Sequence, residues 1–177
     1  MLKKILIFTL SVAILGLFFA SCGFVKKEGG KVKVFMKDAP LDLEKVDHIY
    51  ITFTAIKAHK AGQSPWITLF EGEKTVDLKE LMEKKTLITE VELEKGTYTQ
   101  LRLEISSGNI EVDGETHELQ IPSGEVKIPC VFTVEQSDTV SIVLDFSAQD
   151  SIKVIEAGKA QRYILRPVIR VEAVTYE

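Results

Sequence analysis

Apolar and polar residues alternate along most of the chain after residue 30, with the period of two that is typical of half-buried β-strands. Lysines alternate with the apolar residues over 31–37, and Arg102 and Glu104 alternate with those over 101–105. The rows that we predict to face inward are Val32, Val34 and Met36; Ile49, Ile51, Phe53 and Ala55; Leu101, Leu103 and Ile105; and Val140, Ile142, Leu144 and Phe146.

Turn residues separate these runs at short intervals. Asp113-Gly114 lies between two strand-like segments, which is a strong signal for a tight β-hairpin. The last run, residues 162–174, contains Pro167, so we expect it to be bent or to lie at a sheet edge. Many short strands with regular turns predict an all-β fold, an antiparallel β-sandwich of immunoglobulin-like or prealbumin-like type.

One short helix is predicted within residues 77–85. Asp77 is placed to cap it, Glu80 stands at the third helical position, and Leu78, Leu81 and Met82 form an apolar stripe. A helix of about two turns is an insert in the sandwich rather than a second domain. We therefore predict a single domain over residues 31–175.

The N-terminus has the three parts of an exported protein's signal peptide. Lys3 and Lys4 precede an apolar run over residues 5–19, and the small residues Ala20 and Ser21 follow. The apolar run is shorter than the roughly 20 residues that a membrane-spanning helix needs. Residues 1–21 are therefore predicted to be cleaved, although a permanent anchor is the alternative.

Cys22 follows these small residues directly, and Phe19-Ala20-Ser21-Cys22 resembles the bacterial lipobox. The resemblance implies cleavage between Ser21 and Cys22 and acylation of Cys22, which would anchor the protein to a membrane. Phe19 departs from the usual Leu, and an ordinary secretory signal is the alternative. Gly23, rather than Asp, implies transfer to the outer membrane, on its periplasmic or surface face, in a Gram-negative source. Residues 22–30 are predicted to form a flexible tether.

Charge argues against a nucleic-acid partner. The chain has 22 basic and 26 acidic residues; loss of Lys3 and Lys4 with the signal leaves 20 against 26, a net charge of −6. If Cys22 carries lipid, Cys130 has no partner in the chain. Its neighbours Pro129 and Val131 indicate a buried thiol rather than a reactive one.

Several segments occur in an order that resembles the domain of unknown function 4382 family, found in exported prokaryotic proteins and commonly behind a lipobox. The resemblance covers about residues 31–172, and its most specific piece is Gly-Thr-Tyr-Thr-Gln-Leu-Arg-Leu at 96–103. The other pieces are Asp38-Ala39-Pro40, Trp66-Ile67-Thr68-Leu69, Thr75-Val76-Asp77-Leu78, Leu144-Asp145-Phe146 and Leu165-Arg166-Pro167-Val168-Ile169-Arg170-Val171. The family has no established activity.

Tyr98 lies beside Gly96 at the start of a predicted strand. This placement is similar to the tyrosine corner of immunoglobulin-like sandwiches, in which the hydroxyl bonds to a nearby backbone group. The alternative is a half-buried aromatic side chain.

Candidate metal sites are few. His48 and His59 are an odd number of residues apart, so a regular strand places them on opposite faces, and His117 lacks the second histidine of a zinc-protease motif. The best calcium candidates are Asp38, Asp42 and Asp47, with Glu44 nearby. Their spacing does not match an EF-hand, and a solvated acidic loop is the ordinary interpretation. We predict no cofactor.

No motif for nucleophilic catalysis, phosphate binding or paired-carboxylate hydrolysis is present, so we predict a non-enzymatic protein. The leading hypothesis is a lipid-anchored binding or scaffold module of the cell envelope, with a protein partner at a sheet edge. A carbohydrate or small-ligand binding module is the alternative, and a hydrolase ranks third. Trp66 discriminates between the first two, because an exposed Trp stacks on sugars; we expect it in the core.

Overall fold

A computed structural model of the chain describes residues 28–38, 46–157 and 160–177. The predicted signal peptide, Ser21 and Cys22 therefore lie outside the described residues, as does Asp42. Within the described ranges, no helix has the length and hydropathy that crossing a membrane requires.

The described residues form an all-β sandwich with two short helices. The helices are α1 (Leu78–Glu83) and α2 (Ala148–Ser151), and the strands are β1 (Gly29–Lys37), β2 (Val46–Lys60), β3 (Ile67–Asp77), β4 (Thr86–Glu94), β5 (Gly96–Val112), β6 (Glu115–Gln120), β7 (Glu125–Val134), β8 (Thr139–Phe146), β9 (Ile152–Ala157), β10 (Ala160–Leu165) and β11 (Ile169–Tyr176).

Two sheets form the layers. The smaller has the strand order β11-β8-β1-β4, and the larger follows β3-β2-β5-β6-β10-β9, with β7 paired beside the first half of β5. Most pairs are antiparallel, as predicted, but β1 pairs with β8 in parallel and so does β6 with β10. These two parallel pairs join strands that are distant in sequence, which local pattern does not reveal.

The predicted inward rows form the core between the sheets. Every one of those residues is buried, and Phe53 of β2 meets Phe146 of β8 edge to face across the layers, with ring centroids 6.5 Å apart. Burying a large side chain of this kind contributes about 1.5–3 kcal/mol. The two layers are therefore stabilised by one shared apolar cluster.

The local predictions for turns and helix are confirmed. Asp113 and Gly114 have φ values of 50° and 78° and join β5 to β6, as a type I′ hairpin turn requires. The Asp77 side chain accepts a hydrogen bond from the Lys79 amide and caps α1. Helix α2 was not predicted, since four residues leave almost no periodic pattern.

Pro167 separates two strands of different sheets. Strand β10 ends at Leu165 in the larger sheet, and β11 begins at Ile169 as an edge strand of the smaller one. The prediction of a bend or an edge in this run is thus confirmed on both counts.

Tyr98 ties the sheets together where the chain crosses from β4 to β5. Its hydroxyl donates to the Glu94 carbonyl at 2.9 Å, its ring is fully buried, and it stacks on Phe132 with centroids 5.0 Å apart. Gly96 adopts φ 148° in the intervening turn, a conformation that favours glycine. The tyrosine-corner interpretation is confirmed by this bond.

Strand β5 is not regular beyond Tyr98. Its register against β7 shifts between Tyr98 and Gln100, so that Tyr98 and Leu101, an odd number of residues apart, both point into the core. A β-bulge of this kind inserts one residue and changes the alternation that follows.

We expect Tyr98→Phe to destabilise the domain by about 0.5–1.5 kcal/mol, because the part-buried hydrogen bond from its hydroxyl to the Glu94 carbonyl would be lost while the stacked ring remains. Chemical denaturation would measure this. Tyr50→Phe, at a ring that is 36% exposed, is the matched control and should change stability by less than about 0.5 kcal/mol. Equal effects of the two variants would contradict a structural role for the Tyr98 hydroxyl.

Candidate functional site

The end of the domain that follows the predicted anchor is tightly built. Gly29 and Gly30, predicted as part of the tether, begin β1 and pair with Glu94 and Leu93. A Cβ on Gly30 would lie 2.6 Å from the Glu135 carbonyl oxygen. The two glycines therefore permit close backbone approach, and β1 includes two residues of the predicted tether.

A pocket of about 910 Å³ opens at this same end. Its lining is largely polar and includes the carboxylates of Glu28, Glu92, Glu94 and Asp138. Tyr98 also contributes, but its hydroxyl is already bonded to the Glu94 carbonyl. The described lining contains the hydroxyls of Ser137 and Thr139 but no histidine or cysteine.

His48 and Asp77 form a pair that sequence reasoning missed. The Asp77 carboxylate lies 2.5 Å from His48 Nδ1 and also accepts from the amides of Ile49 and Lys79. Hydrogen bonding to Asp77 is the main cause that raises the pKa of His48 above 6.5, and the charges of Glu111 and Asp47 add to it.

This pair lacks the third member of a catalytic triad. Within the described residues, no hydrogen bond joins His48 to a serine, threonine or cysteine side chain, and the His48 side chain is 46% exposed on the sheet surface. Asp77 meanwhile holds β2 and the start of α1 through backbone amides. The arrangement therefore has the geometry of a structural pair that also orients the imidazole.

Bulges bring His48 and His59 to one face. Both Ala55 and Ile56 are buried, and the register against β3 shifts on either side of them, which reverses the alternation within β2. The expectation of opposite faces was wrong for this reason. The two histidines nevertheless have different neighbours, because His59 Nδ1 lies 3.1 Å from Thr99 Oγ1 and His48 contacts Asp77.

The two calcium candidates that the structure describes, Asp38 and Asp47, accept hydrogen bonds in different parts of the fold. Asp38 is buried and accepts from the Ala148 amide at 3.2 Å, at the start of α2. Asp47 accepts from the Gly114 amide at 2.9 Å, at the β5–β6 hairpin. Across residues 28–38, 46–157 and 160–177, no three acidic, histidine or cysteine side chains are grouped to hold a metal ion.

Trp66 lies outside the core cluster, contrary to expectation. It is half-buried on the outer surface of the larger sheet, with the Arg102 guanidinium 4.1 Å from its ring centroid and the His59 ring at 5.3 Å. Arg102 also pairs with Glu125 at 3.0 Å. A cation thus already covers one face of the indole ring.

Cys130 is buried, as predicted, and burial raises the pKa of its thiol to about 11. His117 packs against the ring of Tyr163 at 4.9 Å. Neither residue has the setting of a nucleophile or a metal ligand.

The sheet edges differ in how they are covered. Thr89 Oγ1 donates to the Leu69 carbonyl, and Lys74 Nζ donates to the carbonyls of Leu87 and Ile88, so side chains link β3 to β4. On the opposite side of the sandwich, the Thr133 amide of β7 donates to the Tyr176 hydroxyl of β11. These contacts bridge the edge strands of one sheet to those of the other.

Strand β9 is an exception. It ends the larger sheet, and no described strand pairs with its outer side. Val154 and Ile155, at its centre, are 49% and 46% exposed. An apolar edge with free backbone groups is a template for pairing with another strand. This edge is the candidate interaction site.

A comparison with protein families agrees with the family resemblance. The family model described as Domain of unknown function (DUF4382) matches residues 29–167. The chain belongs to this family. No curated protein matches the DUF4382 chain. Among solved structures it is similar to a chain from Bacteroides eggerthii DSM 20697 described as a putative cell adhesion protein, with 13% identity and a TM-score of 0.35. That likeness covers 81% of the DUF4382 chain and 57% of the other.

The His48–Asp77 pair generates a pH prediction. Because the folded-state pKa of His48 is raised, the pair's stabilisation is complete below the unfolded value near 6.5 and is lost as pH rises through the folded-state pKa. NMR titration of the imidazole should give a pKa above 6.5. Asp77→Asn keeps an oxygen that caps α1 but removes the charge, so the pKa should fall. An unchanged pKa in that variant would exclude Asp77 as the cause.

Proposed function

We propose that this DUF4382 protein is a lipid-anchored, non-enzymatic binding module of the cell envelope, which binds another polypeptide by adding a strand to β9. The observation that carries the proposal is the open edge of β9, with Val154 and Ile155 exposed at its centre. Strand addition supplies main-chain hydrogen bonds for affinity, and the exposed side chains supply selectivity.

Contrast with the other edges supports this choice. Side-chain hydrogen bonds link β3 to β4, and another links β7 to β11, so those edges are already engaged. Natural sheets commonly protect edges in such ways, and a strand left open with apolar residues is a site of association. Within residues 28–38, 46–157 and 160–177, no strand lies on the outer side of β9.

The proposed anchor gives the module its location. Signal cleavage before Cys22 and acylation of that residue would hold the domain at the membrane, on the outer membrane in a Gram-negative source. Each buried methylene of an acyl chain contributes about 0.8 kcal/mol, so several chains give stable attachment. Only six residues, 23–28, would separate Cys22 from the first strand, at Gly29.

Sugar binding and hydrolysis have less support. Stacking on a sugar needs a free aromatic face, and Arg102 lies over the Trp66 ring at 4.1 Å. Hydrolysis by a Ser-His-Asp type of arrangement needs a hydroxyl or thiol and a carboxylate on the same histidine. Among the described hydrogen bonds, His48 has the Asp77 carboxylate without a hydroxyl, and His59 has the Thr99 hydroxyl without a carboxylate. Strand addition requires only the open backbone and apolar residues that β9 presents.

The anchor is tested by Cys22→Ser. We expect the variant to leave the membrane fraction, because acylation needs the thiol. Cys130→Ala is the matched control, since it removes the buried thiol and should leave fractionation unchanged. Fractionation of cells followed by immunoblotting measures both. Retention of Cys22→Ser in the membrane would contradict the lipid anchor.

Binding at β9 is tested by placing a photo-cross-linking amino acid at residue 155 in intact cells. Residue 131 is the matched control, because Val131 is also an apolar strand residue and is 71% exposed, but it lies on β7. We expect a discrete cross-linked band from residue 155 that is absent from residue 131. Equal yields from both positions, or no band from 155, would contradict strand addition at β9.

A further inference from the structure

We propose that the strand added to β9 is β9 of a second copy of this chain, so that the two form a symmetric antiparallel dimer. The inference rests on the proposed binding function and names its partner. A second copy presents the same open edge, and pairing the two edges would give hydrogen-bond partners to the outer backbone groups of both β9 strands.

Symmetry restricts the register. Successive side chains of a strand point to opposite faces, and a two-fold axis normal to the sheet keeps every side chain on its own face. Residues that stand directly opposite each other must share a face, so the axis has to pass through a residue position and not between two positions. The possible centres within the middle of β9 are therefore residues 153, 154, 155 and 156.

Repulsion between like charges disfavours the registers centred on residues 153 and 156. Centring on Lys153 places it opposite Lys153 of the other copy, and centring on Glu156 places two glutamate positions opposite each other. Like charges directly opposite destabilise a strand pair. Centring on Val154 or Ile155 instead sets an apolar residue opposite its own copy, and neither register opposes like charges. The sequence of β9 thus permits two-fold pairing and opposes slippage in both directions.

Burial favours the same arrangement. Val154 and Ile155 are consecutive, so they point to opposite faces, and each is about half exposed in the single chain. Pairing at either centre covers apolar surface on both faces and gives hydrogen-bond partners to the outer backbone groups of β9.

The expected dimer is weak in dilute solution. A six-residue strand pair buries less surface than the roughly 1,200–2,000 Å² of stable interfaces. Confinement at a membrane raises the effective concentration of the two copies, which favours association without any new contact. The anchor and the edge strand would therefore act together.

Single cysteines test the register in the full-length acylated protein reconstituted in vesicles. The native Cys130 is not expected to form a disulfide, because it is buried and its thiol has a pKa of about 11. Val154→Cys and Ile155→Cys are compared separately under mild oxidation, with Val131→Cys as the exposed control. Opposed residues in an antiparallel pair have Cα atoms about 4.5–5.5 Å apart, within the range that a disulfide spans.

We expect one of the two β9 variants to form a disulfide dimer at least about tenfold faster than Val131→Cys, since each register brings only its central residue into opposition. If Val154→Cys is the reactive variant, adding Ile155→Lys should abolish the reaction, because residue 155 then stands opposite Lys153. If Ile155→Cys is the reactive variant, adding Val154→Glu should abolish it, because residue 154 then stands opposite Glu156. The same charge placed at Val131 should leave either reaction unchanged. Rates at 154 and 155 that both equal the rate of Val131→Cys would show random collision and overturn the dimer. Rates at both positions well above that of Val131→Cys would show that both registers form and would support it.

The two proposals fail separately. If neither β9 cysteine forms a dimer but residue 155 cross-links in cells to a different protein, the second copy is excluded and strand addition stands. If residue 155 gives no cross-link at all, both proposals are wrong. A cross-linked band that contains only this chain supports both.

Discussion

The long antiparallel pairing of β2 with β5 is the interaction on which the rest of the larger sheet depends. It runs from Val46 opposite Val112 to Lys60 opposite Tyr98, and it supplies most of that sheet's inward apolar rows. Because β5 is 17 residues long, its two halves take different partners, β7 at the first and β6 at the second. Strand β6 then pairs with β10, and β10 pairs with β9.

That branching explains why the edges of the sheet differ. Strands β3 and β7 lie beside the smaller sheet and reach it through side-chain hydrogen bonds. The hairpin of β9 and β10 is attached through a short parallel pairing of Tyr163 and Ile164 with β6. Its outer strand is left without a described partner, and the proposed binding function and dimer both follow from that position.

The histidines show how bulges change a surface. His48 and His59 would lie on opposite faces of a regular strand, but the consecutive buried residues Ala55 and Ile56 reverse the alternation between them. A similar irregularity lets both Tyr98 and Leu101 enter the core. A bulge inserts one residue without a distinctive composition, so strict alternation predicts the inward rows on either side of it but not how the rows relate.

The sequence by itself determined the elements whose signals are local. Alternation predicted the buried rows, Asp113-Gly114 predicted the hairpin, Asp77 predicted the helix cap, and Gly96 with Tyr98 predicted the corner bond. Tertiary structure alone decided the parallel pairs, the meeting of His48 with Asp77, the stacking of Arg102 on Trp66 and the open edge of β9. These depend on strand order and register between distant segments, and a period-two pattern specifies which face a residue takes but not which strand lies beside it.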